Sequence, residues 1–552
     1  MITNKEIASQ FAKLSDYMEL YDENIYKIKS YQNAYLTIRK YPAEVSTLSI
    51  AELDGIKGIG KAISKKIHEI TDNGSIALLD EYMNKTPHGV QEMMKIKGIG
   101  PKKIKYFWKE RQIESVGELL YECEENRLVE MKGMGTKTQE EVKRNIFLYL
   151  QSKGKILLPD AERLANEAIA VLKHDNPNLT FEIVGEIQRS CPIINAIELI
   201  TSTPESHKLE LHNDKWNLVR NDDNSYLLEN SKIKIKIHNS TVEDYIFNKF
   251  KLNCENKYFE EIIQPLVTNL TTKINSDHEI YKSLGLSFVI PEQREVNLKD
   301  VSTTNPDQLI EKKDLKGLLH CHSTYSDGIN TIEEMVIEAI KCNFDYISIT
   351  DHSQSAFYAN GLKKDTLSNQ WREIDALNDK YGDKIKILKG IESDILYEGY
   401  LDYTDDILEK FDVIIASIHS ILKMDIEKAT QRLIKAIENP YTNIIGHISG
   451  RLLLSRSGYP LHYDKIFDAC AQNRVSIELN ANPMRLDIDF EWIKKVMDKG
   501  VFVSINPDAH SIKGIYDLNW GIRVARKGGL TKELCLNTLP YDKFIDFCKK
   551  KI

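Results

Sequence analysis

The C-terminal half of the sequence alternates short apolar runs with longer segments whose apolar residues recur at helical spacing. Seven such runs occur between residues 315 and 510, and a helical pattern follows each of them. A strand followed by a helix, repeated in this way, predicts a parallel sheet that curls into a βα barrel. The predicted strands cover 315–322, 344–352, 385–392, 411–419, 442–448, 475–482 and 501–510.

Residues 151–300 carry a different pattern, in which short β-forming runs are separated by turn-forming residues. The last run, SKIKIKIH, alternates apolar and polar residues with a period of two, as a half-buried strand does. We therefore expect an α+β domain, followed by a linker where polar residues and Pro306 accumulate between about 296 and 311. The predicted strands cover 179–185, 196–202, 216–220 and 231–238.

Three copies of a short glycine repeat mark the N-terminal region. The chain reads LDGIKGIGKAISKKI at 53–67, MMKIKGIGPKKIKYF at 93–107 and LVEMKGMGTKTQEEV at 128–142. Glycine permits a tight turn between two helices, and the amide groups that begin the second helix favour an anion. A purely structural turn is the alternative for one copy, but the lysines around the first two favour phosphate binding. The glycines predicted to contact phosphate are Gly58, Gly60, Gly98, Gly100, Gly133 and Gly135, and their resemblance to the helix-hairpin-helix, a DNA backbone clamp, implies that the phosphate belongs to DNA.

The charge of the chain supports this division. The 552 residues carry a net charge of −8, yet residues 1–150 hold 23 Lys and Arg against 22 Asp and Glu, whereas 151–552 hold 51 against 60. A polyanion would therefore bind the N-terminal region. No apolar run has the length of a membrane span, the first residues lack signal-peptide features, and the eight cysteines form no CxxC motif. We expect a cytoplasmic protein whose metals are held by nitrogen and oxygen.

Nearly every predicted barrel strand ends in a histidine or a carboxylate. Six of the seven histidines in residues 312–552 lie at such ends, which meet at one rim of a βα barrel. The set is large enough for two or three ions, and its mixed chemistry suits Zn²⁺ or Mn²⁺ better than Ca²⁺. The predicted metal ligands are His320, His322, Asp327, His352, Glu392, His419, His447, Asp508 and His510.

A multi-metal site of this kind suits the hydrolysis of phosphate esters. Clustered cations lower the pKa of bound water and neutralise phosphoryl oxygens. Arg451 and Arg485 follow predicted strand ends and are candidates to hold a substrate phosphate. A surface ion pair is an equal alternative for each of these arginines.

The rim motifs HCHSTYSDG, TDHS, GIESDI, SIHS, GHISGR, NANPMRLD and PDAH resemble, in this order, those of the polymerase and histidinol phosphatase (PHP) domain. The glycine repeats resemble helix-hairpin-helix units. With the segment IYKSLGLSFVIPEQRE at 280–295, nearly the whole chain resembles a bacterial family X DNA polymerase that carries a C-terminal PHP domain. The resemblance implies one ion on the catalytic residues His320, His322, Glu392 and Asp508, a second on Glu392, His419 and His447, and a third on Asp327, His352 and His510.

The polymerase centre is where the chain departs from that family. The palm of the family binds two Mg²⁺ through three aspartates, but Ala196, Glu198 and Lys236 stand in their places and Glu186 replaces a serine. One carboxylate cannot offset the repulsion between two divalent ions, so we expect an inactive palm. Lys66 aligns with the Schiff-base lysine of members that have a lyase activity, although a phosphate-facing lysine is the favoured alternative.

The sequence as a whole predicts a multidomain DNA-repair protein with an α-helical helix-hairpin-helix region, an α+β nucleotidyltransferase-like palm and thumb, and a distorted (βα)₇ PHP barrel. We expect a monomeric 3′→5′ exonuclease or 3′-end-processing phosphoesterase that acts on gapped, nicked or primer-template DNA, away from membranes. An active gap-filling polymerase, a non-catalytic DNA-binding scaffold and a small-molecule phosphoesterase are the alternatives. The predicted segments are 1–80 (hairpin), 81–150 (fingers-like hairpin), 151–240 (palm), 241–300 (thumb-like), 301–314 (linker) and 315–552 (PHP).

Overall fold

The chain folds into two compact units. One contains residues 1–123 and 132–149, and the other contains residues 124–131 and 150–552. The first unit is helical, and every strand among the described residues belongs to the second. The computed structural model describes residues 2–96, 98–129, 134–151, 154–203, 208–221, 223, 225–230, 233–269, 274–298, 301 and 304–549.

Helices are the regular elements of the first unit among the residues that the structure describes. These helices are α1 (Asn4–Leu20), α2 (Ile25–Lys40), α3 (Ile50–Asp54), α4 (Lys61–Asn73), α5 (Ala77–Lys85), α6 (His88–Met93), α7 (Pro101–Arg111), α8 (Val116–Glu124) and α9 (Thr136–Gln151). A capping box begins α1, where the Thr3 amide donates to Glu6 Oε2 at 2.8 Å. Ile7, Phe11 and Leu14 lie fully buried along its apolar face. Packing of amphipathic faces thus holds the unit together.

Two of the glycine repeats form the predicted helix-turn-helix. Gly58 and Gly98 have φ of 100° and 88°, a backbone conformation that glycine adopts without strain. Gly60 and Gly100 have extended backbones and cap the N-termini of α4 and α7. The two glycines of a repeat therefore have different structural tasks, since the first makes the turn and the second begins the helix.

A five-stranded sheet forms the N-terminal part of the second unit, as the alternating runs predict. Its order is β2-β4-β7-β6-β5, with β4 and β7 parallel and the other neighbours antiparallel. The strand β6, which has a short apolar run, is an addition to the four predicted ones. The elements of this region are β1 (Ile156–Leu157), α10 (Leu158–Asp175), β2 (Phe181–Val184), β3 (Ile193–Ile194), β4 (Ile197–Ser202), β5 (Asn217–Arg220), β6 (Tyr226–Glu229), β7 (Lys234–Ser240), α11 (Tyr245–Leu252), α12 (Asn256–Tyr258) and α13 (Asp277–Ser283).

The C-terminal region of the second unit alternates strands and helices, as predicted. Its strands are β8 (Gly317–Cys321), β9 (Tyr346–Ile349), β10 (Lys386–Asp394), β11 (Val413–Ser417), β12 (Ile444–Ile445), β13 (Ser476–Asn480) and β14 (Val503–Asn506). Its helices are α14 (Ile332–Lys341), α15 (Lys364–Tyr381), α16 (Asp405–Leu408), α17 (Ile426–Ile437), α18 (Tyr463–Asn473), α19 (Phe490–Asp498), α20 (Leu518–Lys527) and α21 (Tyr541–Lys549).

The seven strands follow one another in chain order and every neighbouring pair is parallel. The first and last strands approach each other just beyond their ends, where the His322 amide donates to the Ala509 carbonyl at 2.9 Å. The sheet is therefore a nearly closed barrel, which confirms the predicted fold. Its strand ends gather at one rim.

The segment that precedes the barrel is anchored to it. Leu309 and Ile310 are buried, and the Ile310 amide donates to the Leu530 carbonyl at 3.0 Å. Within the described part of the chain, no helix combines the length and the apolar character that crossing a membrane would require.

Candidate metal centre

Glu392 lies at the centre of the barrel rim and is fully buried near the end of β10. The Nε2 atoms of His447, His419 and His320 lie 3.1, 3.2 and 3.3 Å from its Oε1. His352 Nδ1 lies 2.9 Å from its Oε2. One carboxylate thus joins histidines from four different strand ends.

Two aspartates extend this cluster. Asp508 Oδ1 lies 3.1 Å from His322 Nε2 and 3.3 Å from His320 Nε2. Asp327 Oδ1 lies 3.2 Å from His510 Nε2. The structure therefore brings all nine predicted ligands into one cluster, in which eight are buried and His419 is partly exposed.

The cluster contains overlapping groups whose ligand atoms lie close enough together to hold an ion. Two of these groups contain the ligand sets implied for the first and third ions, with His322 added to the third. For the second ion, His419 and His447 share one oxygen of Glu392, while His352 joins His419 and Glu392 in a group. The four groups are His320, His322, Glu392 and Asp508; His322, Asp327, His352 and His510; His352, Glu392 and His419; and Glu125, Asp508 and His510.

Burial and neighbouring charges set the protonation states of the cluster. Burial, with His510 and His352 nearby, lowers the pKa of His322 to about 3. Burial and the adjacent Arg485 lower the pKa of His447 to about 4. Both rings are thus neutral at physiological pH and keep a lone pair for a ligand. Burial opposes ionisation of Glu392, yet the surrounding histidines lower the pKa of this carboxyl well below its usual range.

The cluster fits divalent cations by a second criterion. Several of its buried atoms lie close to charged neighbours but make no well-aligned hydrogen bond among the described residues, which is costly unless something else satisfies them. Imidazole nitrogens and carboxylate oxygens together match Zn²⁺ or Mn²⁺. The atoms are His320 Nε2, His322 Nδ1, His352 Nδ1, Glu392 Oε2, His447 Nδ1 and His510 Nε2.

Two carboxylates that the sequence analysis did not single out orient the histidines. His320 Nδ1 lies 2.6 Å from Glu478 Oε1, and His419 Nδ1 lies 2.5 Å from Asp394 Oδ1. Each contact turns the opposite ring nitrogen, Nε2, toward Glu392. A buried carboxylate inside the apolar run VSIELNAN was the signal that could have identified Glu478.

The two predicted phosphate-binding arginines differ in position. Arg485 is buried, with Nε 3.9 Å from Asp508 Oδ2. Arg451 forms an ion pair with Asp489, and its Nε donates to the Arg485 carbonyl at 2.9 Å. Arg485 thus lies beside the cluster, whereas Arg451 fixes the loop that carries Arg485.

Two residues from a distant part of the sequence also reach the cluster. Arg127 Nε donates to Asp327 Oδ2 at 2.8 Å, and Glu125 Oε2 lies 2.5 Å from His510 Nδ1. Both belong to the second compact unit, through residues 124–131. No pattern in the sequence marks them as part of this centre.

The three predicted palm positions do not form a cluster of carboxylates. Glu198 Oε1 lies 2.9 Å from His238 Nε2 across the parallel pair of β4 and β7. Lys236, opposite Glu198 in register, lies 3.6 Å from Asp223. Ala196 offers no ligand atom. The only acidic residue among the three predicted palm positions is thus engaged by a histidine.

The second glycines of the repeats face open space. A Cβ atom placed on Gly60, Gly100 or Gly135 would meet no other described atom within 4 Å. Gly133 lies outside the described residues. Lys66, on α4, lies 3.8 Å from Glu69. The open backbone at the start of α4 and α7 is available to a large ligand.

Three family patterns match the chain. The helix-hairpin-helix domain matches residues 2–76, the SAM-like helix-hairpin-helix tandem matches 90–144, and the PHP domain matches 319–482. These matches agree with the helical first unit and the barrel.

Curated relatives match the barrel alone or the whole chain. A "Probable phosphatase" of Thermoanaerobacter sp. (strain X514) is 31% identical over 246 residues, or 42% of this chain and 94% of the relative. A solved histidinol phosphate phosphatase (HISK) of Lactococcus lactis is 20% identical, with a TM-score of 0.30 over 38% of this chain and 93% of that one. The "DNA polymerase/3'-5' exonuclease PolX" of Bacillus subtilis (strain 168) is 31% identical over 571 residues, 99% of each chain. The chain belongs to the PolX family, with N-terminal helix-hairpin-helix domains and a C-terminal PHP domain.

Proposed function

We propose that the barrel rim is a metal-dependent phosphodiesterase that shortens the 3′ ends of DNA. The observation that carries this proposal is the convergence of nine imidazole and carboxylate side chains, eight of them buried, in one cluster. The Bacillus subtilis relative, whose name includes a 3′→5′ exonuclease, supports the choice of reaction. Gapped, nicked or primer-template DNA is the proposed substrate, and a monomer is the proposed active form.

The nine predicted ligands would hold two or three Mn²⁺ or Zn²⁺ ions, in the sets implied by the family resemblance. Such ions, when bound, supply a nucleophilic water at neutral pH and neutralise phosphoryl charge. Arg485 orients a phosphate beside Asp508 through its guanidinium. Asn480 holds Asp508 by donating from Nδ2 to Oδ2 at 3.0 Å.

We further propose that the palm does not synthesise DNA. Its predicted positions provide one carboxylate, Glu198, which His238 engages. Two Mg²⁺ ions need more anionic ligands than this to lie side by side. The relative's name includes a polymerase, so a working gap-filling polymerase is the second candidate.

The hairpin glycines are the proposed DNA contacts. The outward-facing backbone at Gly60 and Gly100 supports phosphate binding by the amides that begin α4 and α7. The same proposal extends to Gly135 and, by sequence, to Gly133. Lys66 is proposed as a further phosphate contact rather than as a Schiff-base lysine.

Replacement of Asp508 by Ala tests the rim as the hydrolytic centre. Asp508 contacts two histidines of the first ion's set, so we expect Asp508→Ala to lose bound Mn²⁺ and at least about a hundredfold in the hydrolysis of a small chromogenic phosphodiester. Asp498→Ala, at an exposed position in α19, is the matched control and should retain wild-type rates. Full activity of Asp508→Ala would exclude this site.

A further inference from the structure

Residues 124–129, which we call the inserted segment, place two charged side chains inside the metal centre. Glu125 is 1% exposed and Arg127 is 4% exposed, while Leu128 is fully buried. Burial of a charge is costly unless opposite charges and hydrogen bonds compensate it. The contacts of these two side chains therefore show which groups compensate for the burial of their charges.

Arg127 lies where the third ion, implied for Asp327, His352 and His510, would lie. Its Nε donates to Asp327 Oδ2 at 2.8 Å, and its Nη2 lies 3.3 Å from His352 Nε2. A guanidinium has only donors, so Asp327 accepts from it, and His352 accepts from it in the form whose Nε2 carries no proton. The guanidinium also lies 5.0 Å from the centre of the Tyr358 ring. Arg127 thus supplies positive charge to two of the three side chains implied for the third ion.

Glu125 engages the remaining side chain of that set. Its Oε2 lies 2.5 Å from His510 Nδ1, and its Oε1 accepts a hydrogen bond from Asn482 Nδ2 at 3.2 Å. The inserted segment therefore contacts Asp327, His352 and His510 at once.

These contacts compete with a metal ion. A nitrogen lone pair that accepts a hydrogen bond from arginine cannot bind a cation at the same time, and two positive charges a few ångströms apart repel each other. We propose that the inserted segment is an intramolecular gate on the third metal position, where Arg127 and a metal ion on Asp327 and His352 exclude each other. The inference rests on the proposed metal centre. Filling the third position requires Arg127 to withdraw, which couples metal loading to movement of residues 124–129.

Mn²⁺ titration of the metal-free, full-length protein tests the gate. Arg127→Met keeps the length of the side chain but removes its charge and donors. We expect this variant to bind its weakest Mn²⁺ about tenfold more tightly or better, with the other sites unchanged. Arg163→Met, which removes a partly exposed arginine paired with Glu167 on α10, should titrate like the wild type.

Trypsin cleavage of the wild-type protein gives a readout that does not depend on the variant. Arg127 is buried where it contacts Asp327 and His352, so cleavage after it should be slow while these contacts hold and should accelerate as Mn²⁺ fills the weakest site. Equal affinities in wild type and Arg127→Met, or cleavage after Arg127 that ignores Mn²⁺, would overturn the gate and leave the metal centre intact. Failure of the wild type to bind any Mn²⁺ would overturn both.

Discussion

At the scale of single residues, two histidines of the centre, His320 and His419, have a carboxylate partner that fixes the orientation of the ring. Glu478 is fully buried and engages His320 Nδ1, and it also accepts the His447 amide at 2.7 Å. Asp394 plays the same part for His419. The partners determine which ring nitrogen faces the ions, so they matter as much as the ligands.

Glu478→Gln tests this orientation. The amide is neutral and its NH₂ group can turn toward His320, so the ring loses a charged acceptor for Nδ1–H. We expect Mn²⁺ affinity of the first site to fall by about 10–100-fold, measured by titration, while the circular dichroism spectrum is unchanged. Glu438→Gln, at an exposed position after α17, is the control. Wild-type affinity in Glu478→Gln would show that Glu478 only fills space.

The convergence of the nine predicted ligand side chains could be expected from the sequence, whereas several of the residues that contact them could not. A histidine or carboxylate at the end of a predicted strand has a known destination, because parallel strand ends meet at one rim. His320 and Asp508 could be placed in this way. Arg127 reaches Asp327 across 200 residues of chain, and only the folded topology reveals that contact.

At the scale of elements, the two glycines of each hairpin have separable roles. Gly98 makes the turn with a positive φ, where any other residue is strained. Gly100 has a φ of −87° and an open flank. The sequence predicted both glycines as DNA contacts, but it could not assign them different tasks because their local patterns are alike.

Gly100→Val tests the DNA contact without straining the turn. The added side chain occupies the open flank where a phosphate would approach α7, so affinity for duplex DNA should fall several-fold, and wild-type affinity should fall steeply with salt through counterion release. Fluorescence anisotropy at several salt concentrations measures both. Hydrolysis of a small phosphodiester should be unchanged, and equal loss of both activities would make the hairpin purely structural.

Most barrel and palm elements also followed from periodicity, with informative exceptions. The run at 442–448 predicted a strand of seven residues, but only Ile444–Ile445 pair as β12, because Gly446 and His447 already belong to the rim. The strand β6 was missed because its apolar run is short and surrounded by turn-forming residues. Pattern reveals where an element lies more reliably than where it stops.

At the scale of the whole molecule, the chain contains two candidate catalytic regions that differ in the number of side chains available to bind metal ions. The barrel rim has nine converging ligands, and the palm has one carboxylate among its three predicted positions. A fold can persist after its site is lost, so a palm without synthesis is compatible with an intact scaffold. We therefore expect the barrel rim, and not the palm, to catalyse the reaction on DNA.

Two lanes of a sequencing gel, one for each protein, test whether the rim or the palm acts on DNA. A 5′-labelled primer-template is incubated with Mn²⁺ and all four dNTPs, with either wild-type protein or Asp508→Ala. We expect the wild type to shorten the primer. We expect Asp508→Ala neither to shorten nor to extend it, because the rim hydrolyses DNA and the palm cannot hold two ions. Template-dependent extension by Asp508→Ala, or undiminished shortening by it, would contradict the account.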